Sequence, residues 1–489
     1  MKVVRNVALI AGASLLTLAA VVAVRTMTWK PEAGAEKPAA LAAATPVDAA
    51  RAAAHLGEAI RFQTVSNQDV AANRWEEWDR LHAWMQATYP AAHAAMTREV
   101  VDGRTLIYAW PGSDPKLPPI VLMAHQDVVP VTPGTEKDWV RPPFSGEIAE
   151  GYVWGRGAFD DKGSLVALME AADALAGRGF KPRRTVYFVF GHNEETLGTG
   201  AATAAKWFAD RKIRPEFVLD EGGVAVTSNA LTGEPVAVMS TAEKGYATLR
   251  VTASAEGGHS SAPPKETAVV TLARAVDRIA GDPFPLKFEG PGAQTVRGMA
   301  DGGGWPMRML VANDWLFGPL LARKMGETPE LAAMLHTTVA PTMLEGAPKE
   351  NVLPQRASAL INYRLHPRDK AEDVMVRARR AVRGLPVELS WEGTPVEASP
   401  VSSSSDATWS TLAALATEAT GAPTVPGIVI GATDSRWFGP VAERVYRFAP
   451  FLVPFEELSR FHGTNERVSV ENLDRAAEFY TRVIATTAG

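Results

Sequence analysis

A chain of 489 residues is too long for one ordinary hydrophobic core and suits two domains and a tail. It is 46% hydrophobic and 21% charged with a formal net charge of −5, a globular composition with no basic stripe to attract nucleic acid. It has no cysteine, which excludes disulfides, thiolate nucleophiles and cysteine metal sites, so any metal must be held by His, Asp and Glu.

The chain opens "MKVVRNVALIAGASLLTLAAVVAVRTMTWKP". Lys2 and Arg5 precede the apolar stretch from Val7 to Val24. At about 1.5 Å per residue that stretch spans about 27 Å as a helix, close to a hydrocarbon core of about 30 Å. Residues 1–28 are expected to be an N-terminal membrane anchor. A signal segment is the rival reading, but its apolar region is usually shorter. Either reading puts the bulk of the protein on the periplasmic or secreted side. Lys2 and Arg5 against Arg25 and Lys30 are too balanced to set orientation. Residues 29–46, rich in Ala and Pro and without hydrophobic period, are expected to be a linker.

From residue 47 the pattern is α/β. Strand-like runs such as "PIVLMAHQDVVPV" and "RRTVYFVFGHNEE" alternate with helical runs such as "KGSLVALMEAADALAGRG" and "GAATAAKWFADRK". Leu165, Leu168, Met169, Ala172 and Leu175 fall near helical spacing, and Gly177 closes that helix. Apolar strands without polar alternation predict a sheet buried on both faces. In such sheets sites form outside the carboxyl ends of the strands.

The character changes near residue 244. "YATLRVTASAEGG" alternates like a half-buried strand, and helix, strand, helix and strand follow. That order fits an inserted domain with helices on one face of a mostly antiparallel sheet. Residues 47–243 and 399–489 are expected to form one split domain, and 244–398 an inserted α+β domain. The Gly/Pro/Trp-rich stretch 284–345 receives no assignment. Its "GGGWPMRMLVANDWLFGPLL" could make a greasy pocket, although core packing explains it equally well.

Acids and histidines gather where apolar runs give way to polar turns: His125 and Asp127, Asp160 and Asp161, Glu194 and Glu195, Asp220 and Glu221, and His462. Each has a bland reading. A lone histidine is more often structural, "DDKG" is often a helix cap, and an isolated strand arginine is usually solvated. Together they make a sharper pattern. Residues two apart on a strand share a face, so His125 and Asp127 project together, and a carboxylate beside a metal-bound His fixes its tautomer. Five N/O ligands suit two divalent ions, most plausibly zinc, with one carboxylate bridging. Of the adjacent glutamates one can bind metal, while its neighbour takes a proton from an activated water.

"MAHQDVVPV", "WGRGAFDDKGS", "GHNEETLGTGA", "VLDEGG", "GGHSSAPP" and "FHGTNERVSVENL", in this order, resemble the motif set of metallopeptidase family 20, in its carboxypeptidase S, aminoacylase and N-fatty-acyl-amino-acid hydrolase branch. The resemblance runs from about residue 50 to the end. It implies a di-zinc aminopeptidase-like α/β catalytic domain with an inserted lid or dimerisation domain, so a homodimer is possible. It implies that His125 and Asp220 hold one zinc, Glu195 and His462 the other, and Asp160 bridges. Glu221 stands as the alternative to Asp220. Co2+ or Mn2+ are possible substitutes for zinc. Glu194 would be the general base, Asp127 would orient His125, and His259 would stabilise the oxyanion. Asn351 and Arg364 would hold a substrate carboxylate. The implied activity is zinc-dependent cleavage of a C-terminal peptide bond or an N-acyl-amino-acid bond. N-fatty-acyl-amino-acid hydrolysis is the alternative within that class, and a non-catalytic binding protein the alternative outside it.

Overall fold

The computed structural model describes residues 2–30, 36–196, 198–300 and 302–489. The chain begins with helix α1 (Lys2–Thr28). Strands β1 (Thr97–Val101), β2 (Thr105–Trp110) and β3 (Ile120–His125) follow, then helix α2 (Lys162–Gly177), β4 (Val186–Gly191), helix α3 (Thr199–Asp210), β5 (Phe217–Asp220), β6 (Ala225–Val226) and β7 (Val236–Glu243). The inserted part holds β8 (Gly245–Ser254), helices α4 (Ala268–Ala280), α5 (Gly290–Met299), α6 (Gly304–Ala312) and α7 (Asp314–Met325), β9 (Thr338–Glu345), β10 (Arg356–Leu365), α8 (Ala371–Ala381) and β11 (Val387–Trp391). The chain ends with α9 (Ala407–Thr420), β12 (Thr424–Val429), β13 (Val445–Arg447), β14 (Leu452–Val453) and α10 (Val470–Ala488).

Among the described residues ten strands form the large sheet, in the order β1-β2-β4-β3-β5-β13-β7-β6-β14, with β12 paired to β7. At its centre β3 runs parallel to β4 and to β5. The uninterrupted apolar reading of β3 has a direct physical cause. Ile120, Leu122 and Ala124 enter one core with Leu165, Leu168 and Met169 of α2. Val121 and Met123 enter a second core with Ala201, Ala204 and Phe208 of α3. Alternate residues point to opposite faces, and both faces are covered, so positions 120–124 are all apolar and only the terminal His125 is polar. Helix α2 is buried nearly all round because α10 covers it from outside.

The smaller sheet has the order β9-β10-β8-β11, with β8 and β10 antiparallel from Gly245↔Leu365 to Ser254↔Arg356. Ala247, Leu249, Val251 and Ala253 pack under Leu272 and Ile279 of α4 and Val374 of α8. The intervening residues Tyr246 and Arg364 face away from those helices, with the Arg364 guanidinium 4.9 Å from the Tyr246 ring centre.

Two stretches differ from expectation. Residues 36–46, the described part of the expected linker apart from Trp29 and Lys30, lie along α9 and α10. Thr411 and Thr481 hydroxyls accept from the Ala39 and Thr45 amides at 2.9 and 3.1 Å, and Arg482 donates to the Ala42 carbonyl at 3.0 Å. With few side-chain atoms, this Ala-rich segment satisfies its backbone on helix hydroxyls instead of floating. Residues 31–35 of that linker lie outside the described residues. The second difference is the unassigned stretch, which forms α5–α7 and β9. Helix α5 packs on β12 and β7 of the large sheet, not on the small one. Gly298 permits this approach, since a Cβ there would come within 2.6 Å of Val425.

Candidate metal centre and cleft

The candidate site assembles at the carboxyl ends of β3, β4 and β5. His125 ends β3, and its Nδ1 lies 3.0 Å from the Asp127 carbonyl. A carbonyl only accepts, so Nδ1 carries a proton, and in the neutral ring Nε2 presents a lone pair. That Nε2 lies 2.8 Å from Asp160 Oδ1. A lone pair and a carboxylate at this separation repel unless a proton or a cation joins them. The second oxygen of Asp160 turns to His462, with Oδ2 3.0 Å from Nε2. The same Nε2 lies 3.1 Å from Glu195 Oε2. Ligand atoms of His125, Asp160 and Glu195 lie within 4.8 Å of one another. Among the described residues Glu195 Oε1 is buried without a hydrogen-bond partner. This orphaned oxygen and the paired imidazole–carboxylate contacts fit divalent cations, which such N/O sets hold.

The adjacent glutamates are positioned by one residue. Asp127 accepts from the Glu194 amide through Oδ1 and from the Glu195 amide through Oδ2, both at 3.1 Å. Asp127 therefore links His125 through its carbonyl to both glutamates through its carboxylate. Its side chain stands 3.5 Å from His125 Nδ1, so the carbonyl is the nearer partner. Burial pushes the Glu194 carboxyl well above the usual range, and the charges of Asp434, Glu195 and Asp127 add to this against an opposing effect of His125. Burial, reinforced by Asp160, pushes Glu195 up to about 7. Hydrogen bonds to Asp160 and Glu195 push His462 up to about 10. An excess of buried acids shifts in this way when no cation balances it.

Asp220 and Glu221 differ in what they face. Asp220 Oδ2 accepts from the Ser435 amide at 2.8 Å, so backbone already engages this carboxylate. The Glu221 carboxyl is pushed well above its usual range by burial first and then by Asp160, ahead of Asp220, Asp161 and Glu194. Glu221 thus shares the electrostatic surroundings of the cluster most strongly with Asp160.

A cleft of about 890 Å³ opens above these acids, and Glu194, Glu195, His462, Tyr246, Arg364 and Arg436 line it. Arg364 therefore reaches the cleft. His259 and Asn351 are not among its lining residues. His259 sits on a two-residue ladder in which Gly258 pairs with Leu353 and His259 with Val352, and Asn351 immediately precedes Val352. The His259 ring is exposed, with Nδ1 2.7 Å from the Ser261 hydroxyl. The structure thus does not bring these two expected residues to the cluster, because their ladder projects beyond the small sheet.

The sequence reading passed over the residues that hold the two halves of the site together. Glu466 Oε1 accepts from the Phe159 and Asp160 amides at 2.9 and 3.1 Å. Its Oε2 accepts from Arg156 at 2.7 Å, and Arg156 also donates to the His462 carbonyl at 3.1 Å. Arg156 and Glu466 lie inside the motifs "WGRGAFDDKGS" and "FHGTNERVSVENL", so a charge complementary across those two motifs was the available signal. Asp434, in "GATDSRWF", was also missed. It is buried against Gly191, both its oxygens lack partners, and burial with Asp220 nearby pushes it up to about 8.

Sheet, smaller α+β part and acid–imidazole cluster together are those of a metal-dependent amide hydrolase. Comparison with known proteins makes this specific: residues 121–486 match the model of peptidase family M20/M25/M40, and the chain belongs to that family. It is 35% identical over 446 residues to a probable carboxypeptidase S-like 2 of Dictyostelium discoideum, covering 89% of this chain and 85% of the relative. It is 35% identical over 436 residues to an N-fatty-acyl-amino acid synthase/hydrolase of Xenopus tropicalis, covering 87% and 84%. In fold it is similar to an M20 family metallo-carboxypeptidase from Sulfolobus solfataricus, with TM-score 0.64, 17% identity, and coverage of 88% and 98%. The family places the chain among hydrolases, not among non-catalytic binding proteins.

Proposed function

We propose that the protein hydrolyses N-acyl-amino acids whose acyl group is apolar and whose α-carboxylate is free. The observation that carries this reading is a second cavity of about 300 Å³ that begins at Gly222 and Gly223, next to Glu221. Leu231, Met299, Leu331, Met334, Ile428 and Ile430 are among its lining residues. Ile430 precedes Gly431, which lines the polar cleft, so the two compartments meet at one segment. An acyl chain suits the apolar side, and Arg364 suits the carboxylate, since a guanidinium donates two parallel hydrogen bonds.

Two ions fit the donor set: His125 and Glu221 would hold one, Glu195 and His462 the other, with Asp160 shared. Glu221 is favoured over Asp220 in this assignment because Asp160 acts on its carboxyl ahead of the other acids, whereas one Asp220 oxygen, Oδ2, already accepts from the Ser435 amide. Bound divalent ions supply the Lewis acidity that polarises the amide carbonyl and acidifies a water. Glu194 takes the proton of the attacking water as the oxygen–carbon bond forms, then delivers it to the leaving nitrogen as the carbon–nitrogen bond breaks. His259 and Asn351 could contribute only after the lid moves. Helix α1 would hold the enzyme at a membrane on its extracytoplasmic side.

The test is a panel of zinc-loaded enzyme against N-acyl-amino acids from acetyl to palmitoyl, their methyl esters, and free dipeptides, with and without chelator. Each buried methylene is worth about 0.8 kcal/mol, so kcat/KM should climb with acyl length until the cavity fills. Esterification should lower it, and chelation should abolish all turnover. Dipeptides cleaved faster than every acyl-amino acid would return the reading to a dipeptidase. Metal content should fall in Glu221→Gln and survive in Asp220→Asn; the reverse result restores Asp220 as the ligand.

A further inference from the structure

Helix α1 is apolar enough to cross a membrane over Val3–Thr28, yet its last two turns are not free of the body. Arg25 Nε donates to the Ala312 carbonyl at 3.0 Å. Asn313 Nδ2, fully buried, donates to the Thr26 hydroxyl at 3.2 Å and lies 3.3 Å from the Val22 carbonyl. Arg308 donates to the Trp29 carbonyl at 2.7 Å, and Trp29 packs against the core formed by α5–α7. The helical insert is therefore clamped to the end of α1 by buried polar contacts.

Trp315, at the start of α7, reaches further along α1. It faces a groove lined by Ile10, Ala13, Thr17, Leu18 and Val21. Thr17 and Val21 lie four to eight residues before Arg25, which is about 6–12 Å along a helix axis. If α1 spans a bilayer with Arg25 near the headgroups, Trp315 lies below them. Trp305 is 60% exposed, Trp315 54%, Leu320 47% and Leu316 39%. Arg323 and Lys324 follow in the last turn of α7, where they can meet anionic headgroups.

We propose that the α6–α7 face, carrying Trp305, Trp315, Leu316 and Leu320, is seated in the outer part of the lipid bilayer beside α1. The occupant of this face is the membrane and not a second protein, because Trp315 of this face shares one exposed groove with the apolar residues Ile10, Leu18 and Val21 of α1, the helix apolar enough to span a bilayer. Helix α5 packs on α6 and lines the apolar cavity through Val296 and Met299, so the membrane face and that cavity are one helix apart. An amphiphilic substrate would then reach the enzyme from the bilayer. This inference rests on the reading of α1 as a membrane span.

The cysteine-free chain makes the test direct. Single variants Trp315→Cys, Leu320→Cys, Leu9→Cys and Val376→Cys of the full protein are labelled with an environment-sensitive fluorophore in vesicles of phosphatidylcholine and phosphatidylglycerol. Leu9 lies on α1, and Val376 is an exposed residue of α8 in the small domain. The expected result is blue-shifted emission, quenched by spin-labelled lipid and several-fold less accessible to iodide, at 315, 320 and 9 but not at 376. Lipid burial at 9 with full iodide access at 315 and 320 overturns the proposal and leaves α1 as an anchor. Full access at all four positions overturns both.

Discussion

The acid cluster under the cleft and the root of the small domain both bury ionisable side chains, but they do so in opposite ways. The cluster packs His125, Asp160, Glu194, Glu195, Glu221 and Asp434 together, with too few cations to balance them. The root, where β7 passes into β8 and the insert returns, gathers Lys244, His336, His366 and Arg368, with Asp369 as the nearby acid. Lys244 Nζ donates to the Ala333 and His336 carbonyls at 3.1 and 2.9 Å and meets no carboxylate there. Burial with Arg364 nearby brings it down to about 7. One region thus calls for added positive charge, which metal supplies. The other lowers the proton affinity of Lys244 and His366 and pairs Arg368 with Glu289. Burial alone does not mark a site; the sign of the excess does.

The largest effect that could break this comparison lies in the cluster. Glu194→Gln keeps the size and the Asp127-anchored amide of residue 194 but cannot carry a proton. It should lower kcat by about 10²–10⁴-fold, the usual weight of a positioned general base, with metal content by atomic emission unchanged. Near-normal turnover in this variant ends the assignment of Glu194. Loss of metal together with turnover would make residue 194 a ligand instead.

A smaller effect sharpens the contrast from the stability side. Arg156 and Glu466 are a buried pair that tie the Asp160 loop to the His462 loop. Arg156→Met leaves the Glu466 charge alone and should cost about 3–5 kcal/mol in urea unfolding. Pairing it with Glu466→Gln should recover part of that loss. A single variant within about 0.5 kcal/mol of wild type would show that the loops do not depend on the pair. His462 needs such support because its backbone lies in the left-handed region, with φ of 54°.

These regions were unequally legible in the sequence. The convergence of His125, Asp160, Glu195 and His462 could be read because each stands where an apolar run gives way to a polar turn, and strand ends converge by topology. The alternating strand 245–254 and the two-sided burial of β3 were legible through periodicity. The choice between Asp220 and Glu221 was not legible, since adjacent acids have the same composition signal and differ only in what their side chains meet. The position of His259 was equally hidden: a Gly-Gly-His turn says nothing of which end of a sheet carries it. Helices α5–α7 escaped because their Gly, Pro and Trp break helical periodicity, and because their apolar residues face two ways, toward β12 and outward.

The smallest effect belongs to the root of the small domain and turns on pH. His366 is buried, its Nδ1 accepts from the Arg368 amide at 3.2 Å, and Nε2 has no partner. Burial, with Arg368, Lys244 and His336 around it, brings His366 down to about 3 from an ordinary 6.5. Below pH 6.5 the unfolded chain therefore takes up a proton that the folded chain refuses. The stability contributed by neutral His366 is whole above that pH and drains away as pH falls from 6.5 toward about 3. His366→Asn keeps an acceptor and removes the titration. From pH 7 to pH 5, urea unfolding of wild type should lose about 1–2 kcal/mol more than the variant does. Taking the difference between the two proteins removes the titration of the acid cluster, which they share. Parallel curves over that range would mean that His366 already carries its proton in the folded state, and the root would then resemble the cluster in holding buried charge instead of excluding it.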